Sequence, residues 1–261
     1  MPESKHSPAA SSRRRFLAAA GAFAAGAPAI LRGAAARRPN ILFAISDDQS
    51  FAHAGAMGDK VVKTPAFDRV AGEGVLFRNA YCLSPGCAPS RAGLLTGRYP
   101  WQIEEAGTHA SYFPKKFTVY PDILEKSGYF VGLTGKGAGP ANFKDSGWSR
   151  NPAGPGFDAR KLAKPLDSMN ANDYAGNFED FLKARPKDKP FSFWYGCTEP
   201  HRSYRKGSGL QSGKKLEDVV VPAFLPDTPE VRSDILDYYV EIEHFDQHLA
   251  RMLNMLEKSG D

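Results

Sequence analysis

Cysteine is scarce in this sequence, and the three present in 261 residues are an odd number that excludes a disulfide framework. No run of ~20 strongly apolar residues occurs, so no segment reads as a stable membrane span. A repeat period of ~20 to 50 residues is also missing, which excludes solenoid and propeller architectures. Nor is there a basic face for nucleic acid. The formal net charge is +5, but residues 1–38 hold seven Lys and Arg against one Glu, leaving residues 39–261 at −1. Nucleic-acid binding needs its cations on the folded part, so that class is set aside. What remains is an ordinary globular composition, 42% hydrophobic and 24% charged, with enough chain to bury a core.

The basic excess begins a leader. Ser12-Arg13-Arg14-Arg15-Phe16-Leu17 precedes an Ala-rich apolar stretch, Ala18 to Leu31, and small-residue sites at Ala27-Pro28-Ala29 and Ala34-Ala35-Ala36. Charged, apolar and cleavage regions in that order form a secretory signal, and the Arg pair beside Phe-Leu resembles the twin-arginine type. Residues 1–36 are therefore read as a signal peptide outside the fold. The expected location is periplasmic or secreted in a bacterium, with the twin-arginine export machinery as a partner and no stable membrane anchor.

Asn40 to Ser46 is a short apolar run of the kind a strand buried on both faces shows, and it ends in Asp47-Asp48. Thr64-Pro65 opens a helix to about Gly74, and Val75 to Tyr81 reads as a second strand. A helix from Ser90 to near Gly97, another from Pro121 to Lys126, and a third strand from Tyr129 to Thr134 follow. Gly135 to Pro165 reads as long loops. Asp173 to Ala184 is a helix, Phe191 to Gly196 a fourth strand, and Thr228-Pro229 opens the longest helix, to Lys258. Alternating strands and helices give an α/β fold with a mostly parallel sheet and helices on both faces. Ligands then belong beyond the carboxyl ends of the strands, near Asp47, Lys136 and His201. The sequence stops after a helix and before any following strand, so more protein is expected to follow.

Cys82 and Cys197 lie in apolar runs and are expected to be small buried thiols. Cys87 lies in a turn and needs another explanation. Two adjacent carboxylates oppose each other's ionisation unless a cation sits between them. Oxygen ligands without a thiolate or His cluster select Mg²⁺ or Ca²⁺. The alternative is that Asp48 caps a turn and Asp47 pairs with an arginine.

Cys87-Ala88-Pro89-Ser90-Arg91-Ala92-Gly93-Leu94-Leu95-Thr96-Gly97 carries the strongest signal. It is similar at every specified position to the Cys-x-Pro-Ser-Arg-x-x-Leu-Leu-Thr-Gly signature of the formylglycine-dependent sulfatases. Arg38 to Asp48, Gly128 to Lys136 and Glu199-Pro200-His201-Arg202 resemble that family's other elements, in family order. The resemblance covers residues 38–261 but only the N-terminal part of the family's catalytic domain. The Pro-rich block from Val221 to Asp234 looks most like the sulfamidase branch, which cleaves N-sulfated glucosamine.

The resemblance implies an alkaline phosphatase/sulfatase-like fold and hydrolysis of sulfate esters or sulfamates, on sulfated carbohydrate or another small sulfate ester. It implies a Cys87 oxidised to formylglycine by a formylglycine-generating enzyme, and Ca²⁺, with Mg²⁺ as the other candidate, held by Asp47, Asp48 and residue 87. An aldehyde hydrate carries two hydroxyls on one carbon, one to attack and one to expel sulfate. Arg91, one helical turn after Cys87, returns to that hydrate; Lys136 meets the sulfate; His201 is the general acid. His53, His109, His244 and His248 are read as structural or exposed.

Two departures stand out. The family has a His two positions after the Lys where this sequence has Ala138, and the later Asp-Asn metal ligands have no counterpart before Asp261. Calcium takes ~6 to 8 oxygens, so residues 1–261 alone are expected to bind it poorly and to be inactive by themselves. The competing readings are a phosphomonoester or phosphonate hydrolase, a degenerate binder of sulfated glycans, and a thiol hydrolase using Cys87 directly.

Overall fold

The computed structural model describes residues 38–163 and 167–260; the signal peptide read at residues 1–36 lies outside them. The folded unit runs from Asn40. Among the described residues its sheet has three parallel strands, β1 (Ile41–Ile45), β2 (Phe130–Gly135) and β3 (Phe191–Gly196), in the order β1-β3-β2. β3 is central: Leu42 pairs with Phe193 on one side and Gly132 pairs with Phe193 on the other. Every residue of β3 is buried, as its unbroken apolar run requires.

Side chains alternate across the sheet and build a core on each face. Phe43, Ile45, Leu133 and Trp194 point to one core, with Ala88, Ala92 and Leu95 of α2 (Cys87–Thr96) and with Phe113, Val119 and Trp148 from the loops. Between these loops lies α3 (Tyr120–Lys126). Leu42, Ala44, Phe191, Phe193 and Tyr195 point to the other, with Tyr174, Phe178 and Phe181 of α4 (Tyr174–Ala184) and Leu249 and Met252 of α6 (Pro229–Ser259). Helices therefore cover both faces, as the alternating pattern implies.

α1 (Pro65–Glu73) carries Pro65 at its start, where a missing N–H costs nothing. The α6 helix starts under the Thr228 side chain, which accepts from the Val231 amide, and stops at Gly260 with φ 72°. The short α5 (Ser208–Gln211) packs against its first half through the amides of Gly207 and Gly209, which donate to Asp237. None of the helices described is long and apolar enough to cross a membrane.

Three expectations need correction. Val75 to Tyr81 is irregular rather than a strand, and Val75, Phe77 and Tyr81 are exposed. Apolar content fits a strand only where a neighbouring strand takes up its backbone groups, and among the described residues none lies beside this segment. Cys82, at its end, is consequently exposed rather than buried. Cys87 is no turn residue: α2 begins at Cys87, three residues before the expected start at Ser90, with Pro89 tolerated in the first turn.

Candidate active site at the carboxyl ends of the strands

All three strands deliver residues to one rim. β1 leads into Asp47 and Asp48, β2 into Lys136, and β3 into the Thr198 to Arg202 loop. Backbone bonds lock these exits together: Cys197 N donates to Ile45 O at 3.1 Å, Asp47 N to Glu199 O at 3.1 Å, and Lys136 N to Gly196 O at 2.7 Å. The strand ends approach so closely that a Cβ on Gly196 would lie 1.9 Å from the Lys136 carbonyl. Gly135, at φ +77°, meets the same limit from the opposite strand.

Arg91 crosses beneath this rim from α2 and is 2% exposed. One of its nitrogens, Nη1, donates to the carbonyls of Lys136 at 2.7 Å and Gly137 at 3.4 Å, and Nη2 donates to Asp47 Oδ1 at 3.2 Å. Trp194 Nε1 donates to the same Lys136 carbonyl at 2.9 Å. Lys136 Nζ donates to Asp47 Oδ2, so Asp47, 4% exposed, has a cation on each oxygen. The arginine alternative for Asp47 is therefore what the fold contains. Buried carboxylates survive as anions only with such partners.

Asp48 behaves differently. It takes a left-handed backbone at φ 62°, and its exposed side chain lies 3.7 Å from His201 Nε2. Tyr238 of α6 fixes this bend, accepting from the Ser50 amide at 2.7 Å. His201 Nδ1 lies 2.6 Å from the Arg202 carbonyl, which can only accept. The proton of a neutral His201 is thus on Nδ1, leaving Nε2 directed at the cleft rim. Arg202 is held by a two-pronged pair with Asp234 and stacks over Tyr204.

Cys87 heads α2, half-buried, and its Sγ lies with oxygen and nitrogen atoms of Asp47 and His201 inside a 4.8 Å circle. Asp47, Asp48, Cys87, Arg91, Lys136 and His201 are therefore brought to one place, although they span 155 positions of sequence. Asp47 and Asp48 are oxygen donors on this rim and suit a hard cation, but Lys136 and Arg91 already neutralise Asp47, while Asp48 lies beside His201. The fit is that of part of a hard-cation site. Ala138 is fully buried in the core, so its position sends no side chain into the cleft.

A cleft of ≈ 420 Å³ opens here, lined by Asp47, Lys136, Asn170, Glu199, His201 and Glu241 among others. Glu199 is buried and fully answered: its Oε1 accepts from the Asn170 amide at 2.7 Å, its Oε2 from Tyr174 Oη at 3.1 Å and Cys197 Sγ at 2.8 Å. Burial pushes the Cys197 thiol well up, with the Glu199 charge adding to it, so this sulfur stays a donor. Sequence reasoning missed Glu241 and the structural use of Glu199. The available signal for Glu241 was its position in the Tyr238-Glu241-Phe245 spacing, where a carboxylate interrupts an apolar stripe of α6. The histidines without motif support behave as expected: His248 is buried, His53 pairs with Asp59 and His109 is exposed.

Residues 39–261 match the profile of the sulfatase family, and the chain belongs to that family. It is 38% identical over 120 residues to the N-acetylgalactosamine-6-O-sulfatase of Bacteroides thetaiotaomicron, covering 43% of this chain and 24% of that protein. It is 27% identical over 258 residues to human N-sulphoglucosamine sulphohydrolase, covering 86% of this chain and 48% of the relative. A solved structure of a protein in complex with its substrate D-glucosamine-2-N,6-O-disulfate superposes with a TM-score of 0.62 at 19% identity, over 85% of this chain and 63% of that one. The chain thus spans between a quarter and half of the length of these two curated relatives.

Proposed function

We propose that the protein is an exported, periplasmic or secreted sulfatase that hydrolyses sulfate esters or N-sulfate groups on sulfated sugars. The observation that carries the reading is Cys87: it stands in the eleven-residue signature, heads α2, and lies within 4.8 Å of donor atoms of Asp47 and His201. Oxidised to an aldehyde and hydrated, residue 87 supplies two hydroxyls on one carbon, the first to attack sulfur and the second to expel sulfate. Asp47, Asp48 and residue 87, with donors beyond these three, would hold a Ca²⁺ or Mg²⁺, which would supply Lewis-acid stabilisation of sulfate oxygens.

The chain's own residues divide the remaining work. Amides at the start of α2 give a partial positive charge for an anion beside residue 87. Arg91 bonds Asp47 and fixes the Lys136 carbonyl, which aims Lys136 into the cleft. Lys136 can turn from Asp47 to a sulfate oxygen, a half-buried point charge exchanging one anion for another. His201, protonated with Asp48 beside it, presents Nε2–H to the leaving oxygen or nitrogen.

The test is mass spectrometry of residue 87 in the active full-length protein, together with rates on an aryl sulfate, an aryl phosphate and N-sulfoglucosamine. The expected result is a mass deficit matching an aldehyde in place of the thiol, with sulfate release far ahead of phosphate release. Active enzyme with an unmodified Cys87 would falsify the reading. Ala138, standing where the resembled family has a His, favours one second reading, a binder of sulfated glycans without turnover. Tight binding of heparin fragments with no sulfate release would establish it.

A further inference from the structure

One group in the cleft has no part in the chemistry above. Glu241, midway along α6, is 1% exposed and lines the cleft, and among the described residues neither of its carboxylate oxygens has a hydrogen-bond partner within bonding distance and angle. Burial, reinforced by the neighbouring Glu199 charge and only partly offset by the Ser168 hydroxyl, pushes its pKa up to about 7. The other buried carboxylates are answered. Arg91 and Lys136 hold Asp47, the Asn170 amide and Tyr174 hold Glu199, and Gly207 and Gly209 hold Asp237. Backbone amides of Ala66 and Phe67 likewise hold Asp246.

An unanswered buried carboxyl is destabilising, and the missing partner has to come from the side on which it faces open space. That side is the cleft. Two carboxylates, Glu199 and Glu241, stand close enough there to repel, so the fitting partner carries positive charge as well as N–H donors. Lys136 and His201 line the same cleft as Glu241, so a ligand with its sulfate on the first two can turn a cationic donor toward the third.

We propose that Glu241 is a specificity-determining residue that receives the ammonium group of an O-sulfated amino sugar bound in this cleft. The assignment rests on the sulfated-sugar reading and narrows it to sugars with a free amine. A charge-assisted contact of this kind gives a preference of roughly tenfold or more over the hydroxyl analogue.

Calorimetric titration of the full-length protein with glucosamine 6-sulfate and with glucose 6-sulfate, at a pH above about 7, where the Glu241 carboxyl is ionised, and below the amine's pKa, tests it. The wild type is expected to bind the amino sugar at least about tenfold tighter, and Glu241→Gln, which keeps the volume, to bind both sugars alike. Equal wild-type affinities, absence of glucosamine 6-sulfate binding, or a preference that survives the substitution each overturn the assignment. The wild-type comparison decides the matter even where the variant fails to fold. Failure of the sulfatase reading shows separately, as wild-type protein without aryl sulfate turnover.

Discussion

At the scale of single residues, Arg91 joins fold to chemistry. Its guanidinium bonds two backbone carbonyls and the buried Asp47 carboxylate at once, a geometry that a lysine's single ammonium does not reproduce. Removing one partner of a buried pair leaves the other uncompensated. Arg91→Ala is therefore expected to lower the unfolding free energy by about 3–5 kcal/mol, read from denaturant midpoints, and Arg91→Lys to recover only part of it. A variant that unfolds at the wild-type midpoint contradicts the buried-pair account. His201 acts later, on the leaving group. His201→Asn is expected to reduce turnover of an alkyl sulfate at least about tenfold more than that of an activated aryl sulfate, whose leaving group departs without a proton. Equal losses on both substrates remove His201 from the acid role.

These residues were legible in the sequence because each sits in a short local pattern: Asp-Asp at a strand end, Cys to Arg at one helical turn, Lys after a strand and Gly. Glu241 was not. A glutamate on a long helix is ordinarily solvated, and only the packing of α6 against the cleft wall makes it a buried, unanswered acid.

At the scale of elements, the rim depends on how closely strand ends approach. The Lys136 carbonyl, shared by Arg91 and Trp194, lies directly against Gly196. Gly196→Ala puts a methyl group into that carbonyl, which must move away. The expected cost is about 2–3 kcal/mol of stability, seen in thermal or denaturant unfolding, with a larger proportional loss of activity as Arg91 and Lys136 shift together. An alanine accepted without loss argues that the strand ends are looser than described. β1, β2 and β3 and the helices α1, α3, α4 and α6 were readable because their runs and caps are local. The segment from Val75 to Tyr81 was misread for the complementary reason. A strand is a relation between two stretches of chain, and apolar, β-branched content supplies only one of them.

At the scale of the whole molecule, two buried groups tie folding to pH in opposite directions. Burial, with His244 and Arg251 nearby, drives His248 down to about 3 from an ordinary 6.5, and its Nδ1 accepts from the Ala175 amide. Below pH 6.5 the unfolded chain takes up a proton there that the folded chain refuses, so this group loses stability as pH falls. Glu241 does the reverse. The folded chain keeps its proton up to about 7 where the unfolded chain releases it near 4.5, so stability is lost as pH rises through that window. The two offset between pH 4.5 and 6.5. Relative to wild type, Glu241→Gln is expected to gain melting temperature as pH rises from 4.5 to 7, and His248→Asn to gain it as pH falls below 6.5. Difference curves of the opposite slope would count against both assignments.

The sequence by itself determined the family, the α/β class, most element boundaries and six of the residues at the rim. All of these are written in contiguous motifs or in the two-residue and 3.6-residue periods that local backbone geometry imposes. Only the tertiary structure decided that Asp47 is closed between Arg91 and Lys136 while Asp48 faces His201, that Cys82 is exposed, and that Glu241 lies unanswered beside Glu199. Burial and charge pairing depend on which distant segments meet, and no local period encodes that.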